Sequence, residues 1–331
     1  MKKYFSVFFA AMMALSCFTA CGSDSAATKE KTNSDSRSLQ IVTTIFPEYD
    51  WVKNILGEES SHADITMLLD NGVDLHSYQP TADDILKVST CDLFLYVGGE
   101  SDAWVEDALK NATNKKMQVI NLMDVMGDAA KEEVVVEGMQ PEEEEEEEDS
   151  EEPELDEHVW LSLKNAAVFC DAIANALEKL DPDHAETYHN NASEYKSELN
   201  NLDSGYQSAV ENAAQKTLLF GDRFPFRYLV DDYGLSYYAA FVGCSAETEA
   251  SFETITFLAD KVDALGLKHV MTIEKSDQKI AKTIIENTTE KNQDILTLDS
   301  MQSTTSDDVA NGVTYLSIME NNLIVLQKAL Q

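Results

Sequence analysis

The sequence predicts an α/β protein of two lobes, each built on a parallel sheet, joined by a long helix. Three observations carry that prediction. Short runs rich in β-branched and aromatic residues alternate with helical stretches, the rhythm of parallel sheets with crossover helices. The rhythm runs twice, on either side of a helical tract from Leu163 to Ala213. A chain of 331 residues with 44% hydrophobic composition can bury enough apolar surface for two cores.

The chain opens with Lys2 and Lys3, followed by an apolar stretch, Tyr4 to Leu15, too short to span a bilayer. Thr19 and Ala20 precede Cys21, and a polar tract follows. This resembles a bacterial lipoprotein signal, in which residues 1–20 are removed and Cys21 is lipidated. Residues 21–38, rich in Ser, Thr, Asp and Lys, then form a flexible tether. A lipid on Cys21 would hold the protein at a membrane with no spanning helix.

The first lobe is expected over 39–161. Its strands are Leu39–Phe46, Ala63–Leu69, Asp92–Val97 and Gln118–Leu122, with helices at Glu48–Leu56, Ala82–Ser89 and Ser101–Asn111. Thr81 and Asp84 make a capping-box pair at the start of the second helix. Within this lobe, Glu142 to Glu148 are seven consecutive glutamates, and Asp149, Glu151, Glu152 and Glu154 extend the run. Adjacent like charges repel and bury no apolar surface, so 138–154 is expected as a solvated, disordered loop.

Residues 162–213 form the linking helices, broken at Asp181-Pro182, where Asp181 suits an N-cap and Pro182 the first helical position. Beyond the break, Tyr188, Ala192, Tyr195, Leu199, Leu202 and Tyr206 recur at steps of three and four and form one apolar stripe. That stripe fits either a stiff rod between two lobes or one arm of a helical hairpin within a single domain. The second lobe, 214–331, repeats the first. Its strands are Thr217–Phe220, Ser236–Phe241, His269–Glu274 and Asp294–Leu298, and its helices Phe224–Asp232, Phe252–Leu265, Asp277–Thr289 and Asp308–Leu330.

Cysteines and charge narrow the function. Beyond Cys17 and Cys21, Cys91, Cys170 and Cys244 stand alone with no CxxC spacing, so no disulfide framework is expected. Cys91 and Cys170, in apolar surroundings, read as small core residues. A formal net charge of −37 excludes a general nucleic-acid binder, which needs a basic footprint, and suits a protein that handles cations.

Two histidines then stand out. His76 lies in the loop after the second strand, and loops at the carboxyl ends of parallel strands line the crevices of such folds. His158 is preceded by Asp156 and Glu157 and runs into an apolar stretch. The segment Asn71-Gly72-Val73-Asp74-Leu75-His76-Ser77-Tyr78-Gln79-Pro80-Thr81 resembles the G-x-D-P-H-x-Y-x-P-T motif of the ZnuA-like solute-binding lipoproteins of zinc and manganese ABC transporters. Asp156-Glu157-His158-Val159-Trp160-Leu161-Ser162 resembles their D-P-H-x-W-L-S motif, and Asp181 through Asn191 the start of their backbone helix. Cys244-Ser245-Ala246-Glu247-Thr248-Glu249 resembles their S-x-E-x-E-P-S stretch, with Ala250 in place of the proline. The resemblance runs from about Leu39 to Gln331.

It implies two lobes joined by a rigid helix, with a metal held in the cleft by four protein ligands. His76 and His158 carry over as the first-lobe pair. The second lobe departs from the pattern, reading Phe220-Gly221-Asp222-Arg223-Phe224 where the family begins its first crossover with a His or Glu ligand. Asp222 is the nearest carboxylate there, although Arg223 competes with a cation and Asp222 equally suits a cap for the following helix. Glu247 is a further candidate. Asp299 matches the acid that the family places after its last strand, and Glu274 one that orients the site from behind.

The expected function is a lipid-anchored, monomeric receptor that binds Zn2+ and delivers it to the transmembrane subunit of an ABC permease. Neutral imidazoles favour a transition metal over calcium or magnesium. A Mn2+ receptor of the same family is the alternative, and an adhesin or scaffold using the acidic loop is a rival of another class. A zinc hydrolase finds no support, since neither HExxH nor Gly-x-Ser-x-Gly occurs in the chain.

Overall fold

The computed structural model describes residues 37–140, 154–245 and 249–331. The expected lipidation site Cys21, the glutamate run and Glu247 lie outside them. The first lobe comprises β1 (Leu39–Thr43), α1 (Phe46–Leu56), β2 (Ala63–Met67), α2 (Ala82–Thr90), β3 (Leu93–Tyr96), α3 (Trp104–Lys110), β4 (Gln118–Asn121) and α4 (Leu122–Met126). Two long helices follow, α5 (Leu163–Leu180) and α6 (Ala185–Glu211). The second lobe comprises β5 (Thr217–Phe224), α7 (Arg227–Tyr233), β6 (Ser236–Val242), α8 (Phe252–Leu265), β7 (His269–Ile273), α9 (Lys279–Asn287), β8 (Asp294–Leu298), α10 (Ser306–Ala310) and α11 (Tyr315–Ala329).

The two sheets, each four-stranded among the described residues, share one topology. The first runs β2-β1-β3-β4 and the second β6-β5-β7-β8, with every pairing parallel. In such a sheet the order reverses beside the first strand, and the loops at the strands' carboxyl ends bound a crevice there. Those loops from the two lobes meet. Asn71 forms a bridge with Thr305, and Ser306 N–H donates to the Asp70 carbonyl at 2.9 Å.

Helix α6 spans about 40 Å at 1.5 Å per residue. It buries Tyr188, Ala192, Tyr195, Leu199 and Tyr206, the apolar stripe read from the sequence. Its polar groups hold one lobe at each end. Asn191 donates to the Ile55 carbonyl on α1 at 2.9 Å, while Tyr206 Oη donates to the Met319 carbonyl on α11 at 2.6 Å. One continuous apolar core runs from the first sheet through α5 and α6 into the near face of the second sheet. A smaller core, around Leu258, Val270 and Ile284, lies beneath α8 and α9 on its far face.

Several elements differ from expectation. The last helix is two, because Gly312 at φ 93° supplies a left-handed turn and Thr314 then caps α11 through the Ser317 N–H. Strand β5 continues through Asp222 to Phe224 with a register shift between Phe220 and Arg223, and α7 begins only at Arg227 behind Phe226. Asp222 therefore caps no helix. Of the expected acidic loop, residues 138–140 pack on the second lobe: Met139 is buried and Gln140 N–H donates to the Ala240 carbonyl at 2.9 Å. Their apolar and hydrogen-bonding groups outweigh the neighbouring charge.

Candidate metal centre

His76 lies in a short 3₁₀ turn, Leu75–Ser77, after β2, where the Asp74 carboxylate accepts its backbone N–H at 3.1 Å. Leu75 is buried and anchors the turn in the first core. His158 opens a second 3₁₀ turn, Val159–Leu161, whose three residues are all buried. Trp160 beside it donates from its indole to the Ser300 carbonyl in the second lobe at 2.9 Å. Tyr315 Oη in turn donates to the Trp160 carbonyl at 2.7 Å. The sequence around His158 is thus held by apolar burial and by two bonds to the opposite lobe.

The two imidazoles converge, with Nε2 of His76 3.2 Å from Nε2 of His158. Their other nitrogens already have partners. His158 Nδ1 lies 3.0 Å from the Asp156 carboxylate, which also accepts the His158 backbone N–H at 2.8 Å. A carboxylate accepts only, so it holds the proton on Nδ1 and leaves the Nε2 lone pair facing His76. His76 Nδ1 lies 2.7 Å from Ser101 Oγ and 3.6 Å from Glu157 Oε2. Glu157 accepts the Ser101 N–H through its other oxygen at 3.0 Å, and burial raises its carboxyl above the ordinary range. Burial, and then the neighbouring His158, push His76 well below the usual histidine range, so it is neutral in the way a metal ligand requires.

Cys244 supplies the third group. It follows β6, and its Sγ and the two histidine nitrogens lie within 4.8 Å of one another. Gly243 permits the approach, because a Cβ there would sit 2.9 Å from His158 Cε1 and 3.0 Å from the Phe224 carbonyl. Burial, with Glu133, Asp156 and Glu157 nearby, raises the Cys244 thiol far above its ordinary value; a bound cation reverses that balance. His76, Cys244, Glu100, Glu133 and Glu154 all line one cavity of about 250 Å³.

The second-lobe acids are placed differently. Asp222 accepts the backbone N–H groups of Arg223 at 2.9 Å and Ile273 at 3.3 Å. Asp299 accepts the Met301 N–H at 2.8 Å and lines a different cavity, shared with Glu274, Lys275 and Asp308. Burial and then Glu274 raise its carboxyl above the usual range. Among the described residues, neither acid joins the grouping of His76, His158 and Cys244. Glu274 accepts from Ser300 N–H at 2.7 Å, Ser300 Oγ at 2.8 Å and Gln302 N–H at 3.1 Å, and so shapes the loop after β8. Arg223 pairs across the cleft with Asp74.

Sequence reasoning did not single out Cys244 as a ligand. Its signal was available: it heads the segment carrying Glu247 and directly follows a strand, the position from which these crevices are lined.

A family profile described as zinc-uptake complex component A, periplasmic (ZnuA) matches residues 41–329, and the chain belongs to that family. It is a family of non-catalytic binding proteins. The high-affinity zinc uptake system protein ZnuA of Bacillus subtilis is 30% identical, over 99% of this chain and 98% of its own length. The zinc-binding protein AdcA of Streptococcus pyogenes is 28% identical over 87% of this chain, which spans only 55% of that relative's length. Among solved structures, the Zn(II)-bound ZnuA-like domain of Streptococcus pneumoniae AdcA superposes with a TM-score of 0.68 at 28% identity, over 88% of this chain and 99% of the domain. The metal-dependent lipoprotein YcdH of Bacillus subtilis does so at 0.70 and 26% identity, over 89% of this chain and all of that one.

Proposed function

We propose that this chain is the binding component of a zinc-uptake system, taking Zn2+ between its lobes and handing it to a membrane permease. The observation that carries this reading is the pair of imidazole nitrogens 3.2 Å apart, one on a buried and one on a half-buried ring, each ring held from behind by an acid or a hydroxyl. The two nitrogens are at hydrogen-bond distance, and a cation that displaces the proton between them can take both as donors. Nitrogens bound tetrahedrally at ~2.05 Å to one zinc ion would stand about 3.3 Å apart. Family membership and the names of the full-length relatives support zinc as the cargo.

His76 and His158 are the ligands from the first lobe. Release follows from separating the lobes' contributions when the protein docks on its permease. A lipid on Cys21 would keep the receptor beside that permease, as the lipoprotein names of relatives suggest. Zinc titration by calorimetry, with bound metal measured by mass spectrometry, tests the reading. One tight site per chain is expected, with manganese bound more weakly. Tighter manganese than zinc would reassign the cargo, and an absence of tight binding to either would refute the reading.

A further inference from the structure

We propose that the second lobe's metal ligand is the thiolate of Cys244, so that the cargo is held by two imidazoles from one lobe and one sulfur from the other. The inference rests on the zinc-binding reading above and adds the donor that decides which metals the site accepts. Its basis is the convergence of Cys244 Sγ with one ring nitrogen of each histidine, all within 4.8 Å of one another. Zinc bonds of about 2.3 Å to sulfur and 2.0–2.1 Å to nitrogen bring such atoms together with small side-chain movements.

The aspartates that could compete are otherwise engaged. Asp222 is tied to two backbone N–H groups. Asp299 opens into a different cavity. Asp74, with an oxygen 3.9 Å from His76 Nε2, is neutralised by Arg223. In the amide orientation that satisfies its donor atoms, Gln302 also donates to Asp74, at 2.8 and 3.0 Å. Its carbonyl oxygen then accepts from Ser300 Oγ at 3.2 Å. Among the described residues the grouped donors are therefore two neutral nitrogens and one soft anion, with a fourth position for an oxygen of water or of an acid lining the same cavity.

That set predicts selectivity. Thiolate and imidazole suit zinc and other thiophilic ions, whereas manganese prefers carboxylate, carbonyl and water oxygens. Cys244 thus separates zinc from manganese in a site whose two histidines would accept either.

Cobalt(II) is the probe, titrated into the purified full chain and into Cys244→Ser, with zinc affinity measured on both. The wild type should show the intense visible bands of four-coordinate cobalt together with a near-ultraviolet sulfur-to-cobalt charge-transfer band. Cys244→Ser should lose the charge-transfer band, keep the visible bands and bind zinc at least about tenfold more weakly, the lower bound for losing even an orienting partner. Cys244→Asp should narrow the ratio of zinc to manganese affinity, and an unchanged ratio would overturn the claim of selectivity. Visible bands without a charge-transfer band in the wild type, or a charge-transfer band that persists in Cys244→Ser, would overturn the thiolate ligand while leaving zinc binding intact. No uptake of cobalt or zinc by the wild type would instead refute the zinc-binding reading itself.

Discussion

The two lobes share a sheet order, yet they present opposite kinds of chemistry to the cleft. The first lobe offers two imidazoles, each fixed by groups of its own lobe: Asp156 behind His158, and Ser101 with Glu157 behind His76. The second lobe offers a single sulfur on a turn after β6, while its acids spend their oxygens on backbone N–H groups and loop hydroxyls. Identical topology places loops in the same positions, but the side chains decide whether a loop holds a metal or holds another loop. On the proposed reading, the first lobe is built in advance to receive the cargo, and the second lobe contributes the donor that completes the site.

The largest expected effect breaks the first-lobe half. His158→Ala should weaken zinc binding by more than about 100-fold, beyond the range for losing an orienting partner, because it removes a direct donor. Far-ultraviolet circular dichroism should show the fold retained. Calorimetric affinity within tenfold of the wild type would mean that the histidines do not hold the metal.

An intermediate effect sharpens the claim of advance construction. Asp156→Asn keeps the shape but replaces the acceptor behind His158, so affinity should fall about 10- to 100-fold. If affinity is untouched, the ring does not need that carboxylate. The second-lobe acids should matter less: Asp222→Ala and Asp299→Ala should each cost less than about tenfold, under the lower bound for a partner acting on a ligand. Competition titration against a chromogenic chelator measures both, and a loss from either variant as great as that of His158→Ala would return an acid to the ligand set.

The smallest effect lies behind the first-lobe site, in its core. Glu48 is fully buried, accepts Thr44 N–H at 2.8 Å and Ile45 N–H at 3.3 Å, and leaves Oε1 without a hydrogen-bond partner. Burial, and then Asp102, push its carboxyl up from 4.5 to about 8. A folded-state value above the unfolded one means that the folded chain binds the proton more tightly. Its contribution to stability is therefore complete below pH 4.5, falls as pH rises and is lost above about pH 8. Chemical denaturation of the metal-free protein should show stability declining across that window, with a shallower decline in Glu48→Gln. Equal slopes for the two proteins would remove Glu48 as the cause.

By itself the sequence determined the architecture. Alternating β-rich and helical runs specified parallel sheets, and the stripe from Tyr188 to Tyr206 specified the face that α6 buries, because both periodicities are local consequences of side-chain geometry. Thr81 and Asp84 announced the start of α2 for the same reason. His76 and His158 were legible through their resemblance to two ordered histidine motifs of the family, since a lone loop histidine has many structural uses. Tertiary structure alone decided what faces them. The position of Cys244 after a strand marks it as facing a crevice but does not say what it meets there, and Asp222, Glu274 and Asp299 look alike as acids at strand ends. Only the folded chain commits Asp222 to backbone N–H groups, Glu274 to the loop after β8, and Arg223 to Asp74 across the cleft. A carboxylate's role is set by which donors reach it first, and donors that come from residues 50 or 150 positions away leave no trace in local spacing.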